Sequence, residues 1–214
     1  MIKPVKTSRT YSGALRREQA QMTRNRILDA ARRLLVSGTY SSVTMHDIAE
    51  EAGVAYQTVY AIFGTKLRLA QKIMEDGFPH VEEALKLFDP LQQSSDPEVW
   101  FRTGARVNSL IYEPCADLLR FMRESGDPAL LEHYREREEQ RFMAMTERSG
   151  LAAMLEKSGR LRAGQSPSEA VAVIWALSGP DQYTQLVFQR GWTPSHYEEW
   201  LGDATINMLL QPAS

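Results

Sequence analysis

The fold is decided by fourteen residues near the N-terminus, Asp47-Ile48-Ala49-Glu50-Glu51-Ala52-Gly53-Val54-Ala55-Tyr56-Gln57-Thr58-Val59-Tyr60. Two helices that cross over a very short turn need a small residue at their contact, which Ala49 provides. They also need a turn residue that tolerates positive φ, which Gly53 provides. Five apolar residues are spaced to fill the inner faces of the pair: Ile48, Ala52, Val54, Val59 and Ile62. An ordinary helical hairpin can share this spacing, but the full pattern after a basic helix favours a helix-turn-helix.

The segments around this stretch also have helical patterns. An apolar stripe of period 3.6 predicts an amphipathic helix from Thr23 that ends at Gly38, with its inner face formed by Ile27, Leu28, Ala31, Leu34 and Leu35. Thr44 and Asp47 are spaced as a capping box and predict the start of the second helix. A third helix is predicted over residues 55–63, and Thr65 is placed to cap a fourth.

Four pairs of a capping residue and a proline predict where the later helices begin. They are Asp96-Pro97, Asp127-Pro128, Ser166-Pro167 and Thr193-Pro194. Because no segment has a convincing strand pattern, we predict an all-α fold with a helix-turn-helix domain followed by a larger helical domain. The predicted bounds are a basic arm at 1–17, the helix-turn-helix domain at 18–76 and the second domain at 77–214.

Charge is distributed unevenly along the chain. Residues 1–75 carry a net charge of +6, and the remainder carries −8. A basic segment on an otherwise acidic chain is the electrostatic pattern expected of a nucleic-acid contact, although a solvated basic end without a partner would give the same charge count.

The second helix of the pair is the one expected to enter the major groove of DNA. If Val59, Ile62 and Phe63 face inward, the outward residues are Tyr56, Gln57, Tyr60 and Ala61. The Gln57 amide can pair with both adenine N6 and N7, and Tyr56 offers a hydroxyl and an aromatic edge. Thr44, Tyr60 and Lys66 are better suited to phosphate oxygens. Plain solvent exposure remains the alternative for each of these side chains.

Two motifs resemble those of the TetR (tetracycline-repressor) family: Thr44-Met45-His46-Asp47-Ile48-Ala49-Glu50-Glu51-Ala52-Gly53-Val54, and Thr58-Val59-Tyr60-Ala61-Ile62-Phe63-Gly64-Thr65-Lys66 with Leu69. The strong resemblance covers about residues 23–69, and Gly191-Trp192-Thr193-Pro194 resembles a C-terminal element of many members. It implies a homodimeric repressor of a palindromic double-stranded DNA operator, with a helical domain for dimerisation and for a small-molecule effector. By position it implies a DNA-contacting set of Thr44, Ala55, Tyr56, Gln57, Thr58, Tyr60 and Lys66. One departure is Ala61, where the family often has histidine.

The sequence offers little support for catalysis. The four histidines, His46, His80, His133 and His196, have no metal-ligand spacing, and no motif ties Cys115 to a catalytic partner. We therefore predict no enzyme activity, no metal site and no cofactor. The chain has no apolar run long enough to span a bilayer, so no membrane association is expected, and its single cysteine suits a reducing cytoplasm.

The second domain offers candidates for a ligand pocket and for a dimer interface. Bulky side chains on its middle helices suit an apolar or amphipathic ligand, although plain core would use the same residues: Trp100, Phe101, Met122, Tyr134 and Phe142. Residues 135–141 are densely charged and predict a solvated helix face. Apolar residues of the last two helices predict a two-fold interface, with intramolecular core as the alternative: Val171, Ile174, Trp175, Trp200, Leu201 and Met208.

The sequence therefore leaves three hypotheses of function. The first is a DNA-binding repressor that a small molecule releases. The second is a constitutive DNA-binding protein whose C-terminal domain only dimerises. The third is a helical enzyme or carrier with a vestigial helix-turn-helix.

Overall fold

The computed structural model describes residues 8–77, 81–91 and 93–212, with the side chains of residues 8–12 and of Arg148 outside the description. Every regular element in these ranges is a helix, and an isolated antiparallel bridge joins Leu161 to Leu210. The all-α prediction is confirmed. Residues 1–7 of the predicted basic arm, and His80, lie outside the described residues.

The chain divides into two compact units, Met1–Glu75 and Asp76–Ser214. The helices of the first are α1 (Ser8–Ser37), α2 (Met45–Ala52), α3 (Tyr56–Phe63) and α4 (Lys66–Asp76), whose last residue falls in the second unit. The core of the first unit is built from one apolar face of each helix: Ile27, Ala31, Leu35, Ile48, Val59, Phe63, Leu69 and Ile73. These four helices were all predicted.

Helix α1 is longer than the sequence pattern indicated. It begins at Ser8 rather than near Thr23, so residues 8–17 of the predicted basic arm are helical. Residues 14–22 are all exposed and therefore give no apolar stripe to detect. They are nevertheless all good helix formers, namely alanine, leucine, arginine, glutamate, glutamine and methionine, with no glycine or proline among them. They therefore continue the helix on the N-terminal side of its buried part.

The second unit contains eight α-helices among its described residues. They are α5 (Val81–Leu85), α6 (Pro97–Tyr112), α7 (Ala116–Glu124), α8 (Pro128–Met143), α9 (Leu151–Ser158), α10 (Pro167–Leu177), α11 (Pro180–Tyr183) and α12 (Pro194–Leu209). A 3-10 helix, Lys86–Leu91, follows α5, and π-helical turns extend α8 (Ala144–Arg148) and α11 (Thr184–Gln189).

The four pairs of a capping residue and proline all open helices, as predicted. Asp96, Asp127, Ser166 and Thr193 each accept a hydrogen bond from a backbone N–H of the first turn. Such a cap stabilises a helix by about 1 kcal/mol, and the following proline has no N–H to satisfy. The starts of α6, α8, α10 and α12 are thereby fixed locally.

The core of the second unit is formed where α6 packs along α12 and where α9 packs on α10. Trp100 and Phe101 of α6 are buried there against Leu155, Val171 and Leu209. The apolar core stops short of filling the space between α6 and α8, and the cavity described below lies there.

Candidate nucleic-acid interface and internal cavity

The start of α2 is fixed by a complete capping box. The Thr44 hydroxyl accepts a hydrogen bond from Asp47 N at 3.2 Å, and the Asp47 carboxylate accepts from both Thr44 N and the Thr44 hydroxyl at 2.8 Å. These bonds from Thr44 hold the pKa of Asp47 below its ordinary value. Since the hydroxyl proton of Thr44 is given to Asp47, Thr44 stabilises α2, and its side chain has no further proton to donate to a phosphate.

The turn between α2 and α3 is a left-handed glycine cap. Gly53 has φ 63°, its N–H donates to Glu50 O at 3.0 Å, and Val54 N–H donates to Ala49 O at 3.0 Å. These two hydrogen bonds form a Schellman motif. A residue with a Cβ would be strained in the left-handed conformation that Gly53 adopts there. It sets the angle at which α3 leaves α2 and so fixes the face that α3 presents.

Helix α3 buries Val59 and Phe63 and leaves most of its other side chains outside. Gln57 and Ala61 are exposed, Tyr60 is 57% exposed, and Tyr56 and Thr58 are half-buried. The predicted N-terminal groove residue Ala55, which is the N-cap, is exposed as well.

One inner-face prediction was wrong. Ile62 is 40% exposed, whereas Ile48, Ala52 and Val59 are buried and Val54 is half-buried. Val59 and Phe63, four residues apart on one side of α3, already fill its contact with the rest of the unit. Ile62 therefore stays at the edge of the exposed face.

A stack of three aromatic rings crosses from α2 to α3. The His46 imidazole lies on the Tyr56 ring, with centroids 4.0 Å apart and planes at 10°, and Tyr56 in turn faces Tyr60 at 6.2 Å. His46 is exposed at the first turn of α2. The stack was not predicted, although a histidine in the first turn of a capped helix and a tyrosine at the start of the next helix could have indicated it.

Lys66 has a different position from the one expected of a phosphate contact. Its ammonium group donates to Tyr40 O at 2.6 Å and to Val43 O at 2.7 Å, and it lies 4.2 Å from the centroid of the Tyr40 ring. These contacts fasten the loop before α2 to the start of α4. Lys66 thus stabilises the helix-turn-helix. A phosphate contact would have to use the same ammonium group that donates to Tyr40 O and Val43 O.

A cavity of about 600 Å³ lies within the second unit, lined by α5, α6, α8, α10, α12 and the segments between them. Trp100 and Phe101 line it, as predicted for a ligand pocket. The other three residues predicted for a pocket, Met122, Tyr134 and Phe142, do not line this cavity. Met122 is fully buried in the core, and Phe142 packs edge-on against Trp175 with centroids 5.5 Å apart.

The charged segment of α8 forms part of the cavity wall. Arg137, Glu138, Gln140 and Arg141 all line it, so the prediction of a solvated face over residues 135–141 was wrong for this side of the helix. Arg141 donates to the Glu138 carboxylate at 2.9 Å, to Trp175 O at 2.9 Å and to the Ser178 hydroxyl at 3.2 Å. Two of those acceptors belong to the C-terminal end of α10, where a cation also offsets the helix dipole.

A chain of buried polar side chains also supports the cavity wall. The Tyr197 hydroxyl donates to Asn108 Oδ1 at 2.7 Å, and Asn108 Nδ2 donates to Ser178 O at 2.6 Å. Burial raises the pKa of Tyr197 well above its ordinary value, so its phenol stays protonated and can donate this bond. The chain ties α12, α6 and the end of α10 together around the cavity.

Residues 27–73 match the model of "Bacterial regulatory proteins, tetR family". The chain is similar to the TetR family over these residues. Over 50 residues it is 42% identical to the HTH-type transcriptional regulator AlkX of Mycobacterium tuberculosis, a match that covers 23% of this chain and 24% of AlkX. The chain thus matches about a quarter of the length of that relative.

Two solved structures resemble the fold of this protein over nearly its whole length. NalD of Pseudomonas aeruginosa, the secondary repressor of the MexAB-OprM multidrug efflux pump, has 23% sequence identity and a TM-score of 0.69, over 92% of this chain and 100% of NalD. SmeT, the repressor of the Stenotrophomonas maltophilia multidrug efflux pump SmeDEF, in complex with triclosan, has 18% identity and a TM-score of 0.67, over 90% of this chain and 93% of SmeT. At these identities the likeness concerns the fold.

The six residues predicted for a dimer interface have different environments in the structure. Val171 and Leu201 are buried within the protomer, so those two assignments were wrong. Ile174 lines the cavity, and Trp175 lies 5.3 Å from the Arg141 guanidinium. Trp200 is half-buried beside Trp192, and Met208 is 50% exposed. Ile174, Trp175 and Trp200 are half-buried, so these three and Met208 keep surface that a partner could cover.

Metal-binding and membrane-spanning features are both absent from the described part of the chain. No group of three His, Cys, Asp or Glu side chains there is arranged to hold a metal ion. Among the same residues, no helix is long and apolar enough to cross a membrane. Cys115 is buried, and its thiol donates to Ile111 O at 2.9 Å. These contacts indicate a structural role for Cys115.

Proposed function

We propose that this protein is a homodimeric transcriptional repressor that binds a palindromic double-stranded DNA operator in the cytoplasm and is released from it by an apolar or amphipathic small molecule. The observation that carries this proposal is the presence, in one chain, of an exposed groove helix in the first unit and a cavity of about 600 Å³ in the second. A cavity of that volume is in the range that holds drug-sized ligands.

The exposed face of α3 supports the DNA part of the proposal. The Gln57 side chain is exposed near the N-terminal end of the helix, and Gln57 follows Tyr56, whose ring is in the stack, in the sequence. We assign base reading to these two residues and backbone contacts to Tyr60 and to the exposed N-terminal turn at Ala55 and Thr58. Thr44 and Lys66 act in our proposal chiefly by holding α2 and the preceding loop in place.

The similar proteins support the ligand part. NalD and SmeT are repressors of multidrug efflux pumps, and SmeT has been solved with triclosan. A ligand can weaken DNA binding only to the extent that it prefers a conformation unsuited to the operator. We assign the transmission to α4, because it is the helix in which the chain passes from the first unit to the second.

The test is a reciprocal titration. The operator is first selected from a random duplex pool, and triclosan, decanol and decanoate are then titrated against the protein with and without saturating operator. Coupling of about 1–3 kcal/mol would weaken ligand binding roughly 5- to 150-fold when operator is bound, and operator binding by the same factor when ligand is bound.

Other outcomes would favour the alternatives. Equal ligand affinities with and without operator would support a constitutive DNA-binding protein. Failure to select any duplex would contradict the repressor and support a helical enzyme or carrier. A selected site without two-fold symmetry would contradict the palindrome and, with it, the symmetric dimer.

A further inference from the structure

Helix α1 extends well beyond the part of it that packs in the first unit. Ile27 and Leu28 are the first buried residues among those whose side chains are described, and residues 14–22 are all exposed. Between these two parts, the Arg24 guanidinium lies 5.5 Å from the centroid of the Phe63 ring, at the last residue of α3. The exposed stretch, residues 14–22, therefore projects beyond the contact of α1 with the C-terminal end of α3. At a rise of about 1.5 Å per residue it is roughly 14 Å long.

The exposed stretch is basic on one side. Arg16 and Arg17 precede the buried Ile27 and Leu28 by eleven residues, which is close to three turns of an α-helix. The two arginines therefore continue the side of α1 that faces the core. Glu18, the single acidic residue of the stretch, precedes Ile27 by nine residues, or two and a half turns, and so lies on the opposite side.

The basic side of the exposed stretch faces the side of the unit on which DNA is expected. The apolar side of α1 faces α2 and the end of α3, so the arginines that continue it face the same way. The exposed residues of α3, such as Gln57 and Ala61, lie on the side of that helix away from the buried Phe63. A duplex that receives α3 in its major groove thus lies in the direction that the two arginines face.

We propose that Arg16 and Arg17 bind backbone phosphates of the DNA duplex outside the base pairs that α3 reads. This inference rests on the proposed function, since it requires that α3 enters the major groove. Charge complementarity supports it, because guanidinium groups form paired, charge-assisted hydrogen bonds with phosphate oxygens. An α-helix is about 10 Å wide and the minor groove only about 6 Å, so the exposed stretch lies along the backbone rather than in that groove.

The experiment measures how the affinity of the full-length protein for the selected operator depends on salt concentration. The variants are the double substitutions Arg16→Gln/Arg17→Gln and Arg16→Lys/Arg17→Lys. The matched control is Arg26→Gln, because Arg26 is an exposed arginine of the same helix, nine residues after Arg17 and therefore on the opposite side. Glutamine is a good helix former, so α1 should stay helical in both glutamine variants, which circular dichroism checks.

Loss of two phosphate contacts should flatten the salt dependence of binding. For the double glutamine variant we expect a slope reduced by about two units per bound protomer, one for each arginine. Its affinity for the operator and for a duplex of unrelated sequence should fall by the same factor, because phosphates carry no base preference. The double lysine variant keeps both charges and should keep most of the slope, and Arg26→Gln should keep all of it.

Hydroxyl-radical footprinting locates the contacts on the DNA. The wild type should protect backbone positions outside the base pairs at which Gln57→Ala changes the sequence preference. The double glutamine variant should lose that protection and keep the protection around those base pairs.

Three results would overturn the inference. They are a double glutamine variant with the wild-type salt slope, one with the wild-type footprint, and a loss of slope per arginine that Arg26→Gln matches. Each of these leaves the proposed function standing if a duplex is selected and Gln57→Ala weakens binding to it. If no duplex is selected, the DNA-binding function itself is contradicted.

Discussion

The imidazole ring of His46 lies parallel to the phenol ring of Tyr56, with centroids 4.0 Å apart and planes at 10°. The two residues belong to different helices of the helix-turn-helix, and both lie next to the exposed end of α3. The stack restricts the rotamer of Tyr56 before any DNA binds. Because ordering a free side chain on binding costs affinity, a pre-ordered Tyr56 is an advantage for base recognition.

His46→Ala should therefore weaken operator binding. An aromatic pair contributes about 0.5–1.5 kcal/mol beyond the area that it buries, which corresponds to a roughly two- to twelvefold loss of affinity. Fluorescence anisotropy with the selected duplex measures the loss. His46→Phe keeps the ring and should restore most of the affinity; if it binds as poorly as His46→Ala, the imidazole itself contacts DNA, and wild-type binding by both variants would contradict any role of the stack.

Gln57→Ala tests base reading on α3. Loss of a bidentate contact to adenine should cost roughly 1–3 kcal/mol on the selected operator and relax the preference at one position of each half-site. A duplex of unrelated sequence serves as the internal control, because its binding depends on phosphates and should be nearly unchanged. Wild-type affinity for the operator would show that Gln57 is only solvent-exposed.

How far the sequence could predict this interface depends on the range of the interactions. The capping box of Thr44 and Asp47 and the turn at Gly53 are local and were read directly from residue spacing. The bonds from Lys66 to Tyr40 and Val43 span 26 and 23 residues, and no periodicity encodes them. Lys66 was therefore assigned to phosphate from its side-chain chemistry and its family position, neither of which shows these bonds.

The second unit shows the same difference between local contacts, which the sequence predicts, and the packing of distant segments, which it does not. The helix starts at Asp96, Asp127, Ser166 and Thr193 were predicted because each cap is a contact within one turn. Which apolar faces become core, cavity or surface depends on how helices pack, and the apolar residues of α10 and α12 fit all three outcomes. Val171 and Leu201 are accordingly core rather than interface.

Lys66→Met should destabilise the first unit. The substitution leaves two backbone carbonyls without their charged donor, and a bond to a charged group contributes about 1.5–3 kcal/mol. Chemical denaturation measures the change in unfolding free energy. Lys72→Met is the control on the same helix, since the pair of Lys72 and Glu75 is a surface ion pair of little consequence. A stable variant with a salt slope reduced by about one unit would instead indicate a phosphate contact.

The capping box gives a pH dependence of stability with a defined sign. The folded-state pKa of Asp47 lies below its ordinary value of 3.8, first because of the bond from Thr44 N and then because of the Thr44 hydroxyl. A lowered carboxyl pKa contributes stability that is present above the ordinary value and is lost as the pH falls through the folded value. The difference in melting temperature between wild type and Asp47→Asn should therefore be constant near neutrality and shrink below about pH 4. A difference in melting temperature that stays constant down to about pH 2 would contradict the hydrogen bonds between Thr44 and the Asp47 carboxylate.

Met208→Asp tests the dimer. Met208 is 50% exposed on α12, so the aspartate has room in an isolated protomer, and folding should be retained. In a two-fold interface the same carboxylate would be buried opposite its own copy, where an unpaired charge is costly and two like charges repel.

The matched control is Met143→Asp at the end of α8, where the methionine is 40% exposed and no interface is proposed. Light scattering at micromolar concentration should give twice 24.3 kDa for the wild type and for Met143→Asp, and a mass near 24.3 kDa for Met208→Asp. A wild-type monomer would contradict the symmetric dimer, and an intact Met208→Asp dimer would move the interface away from this face of α12.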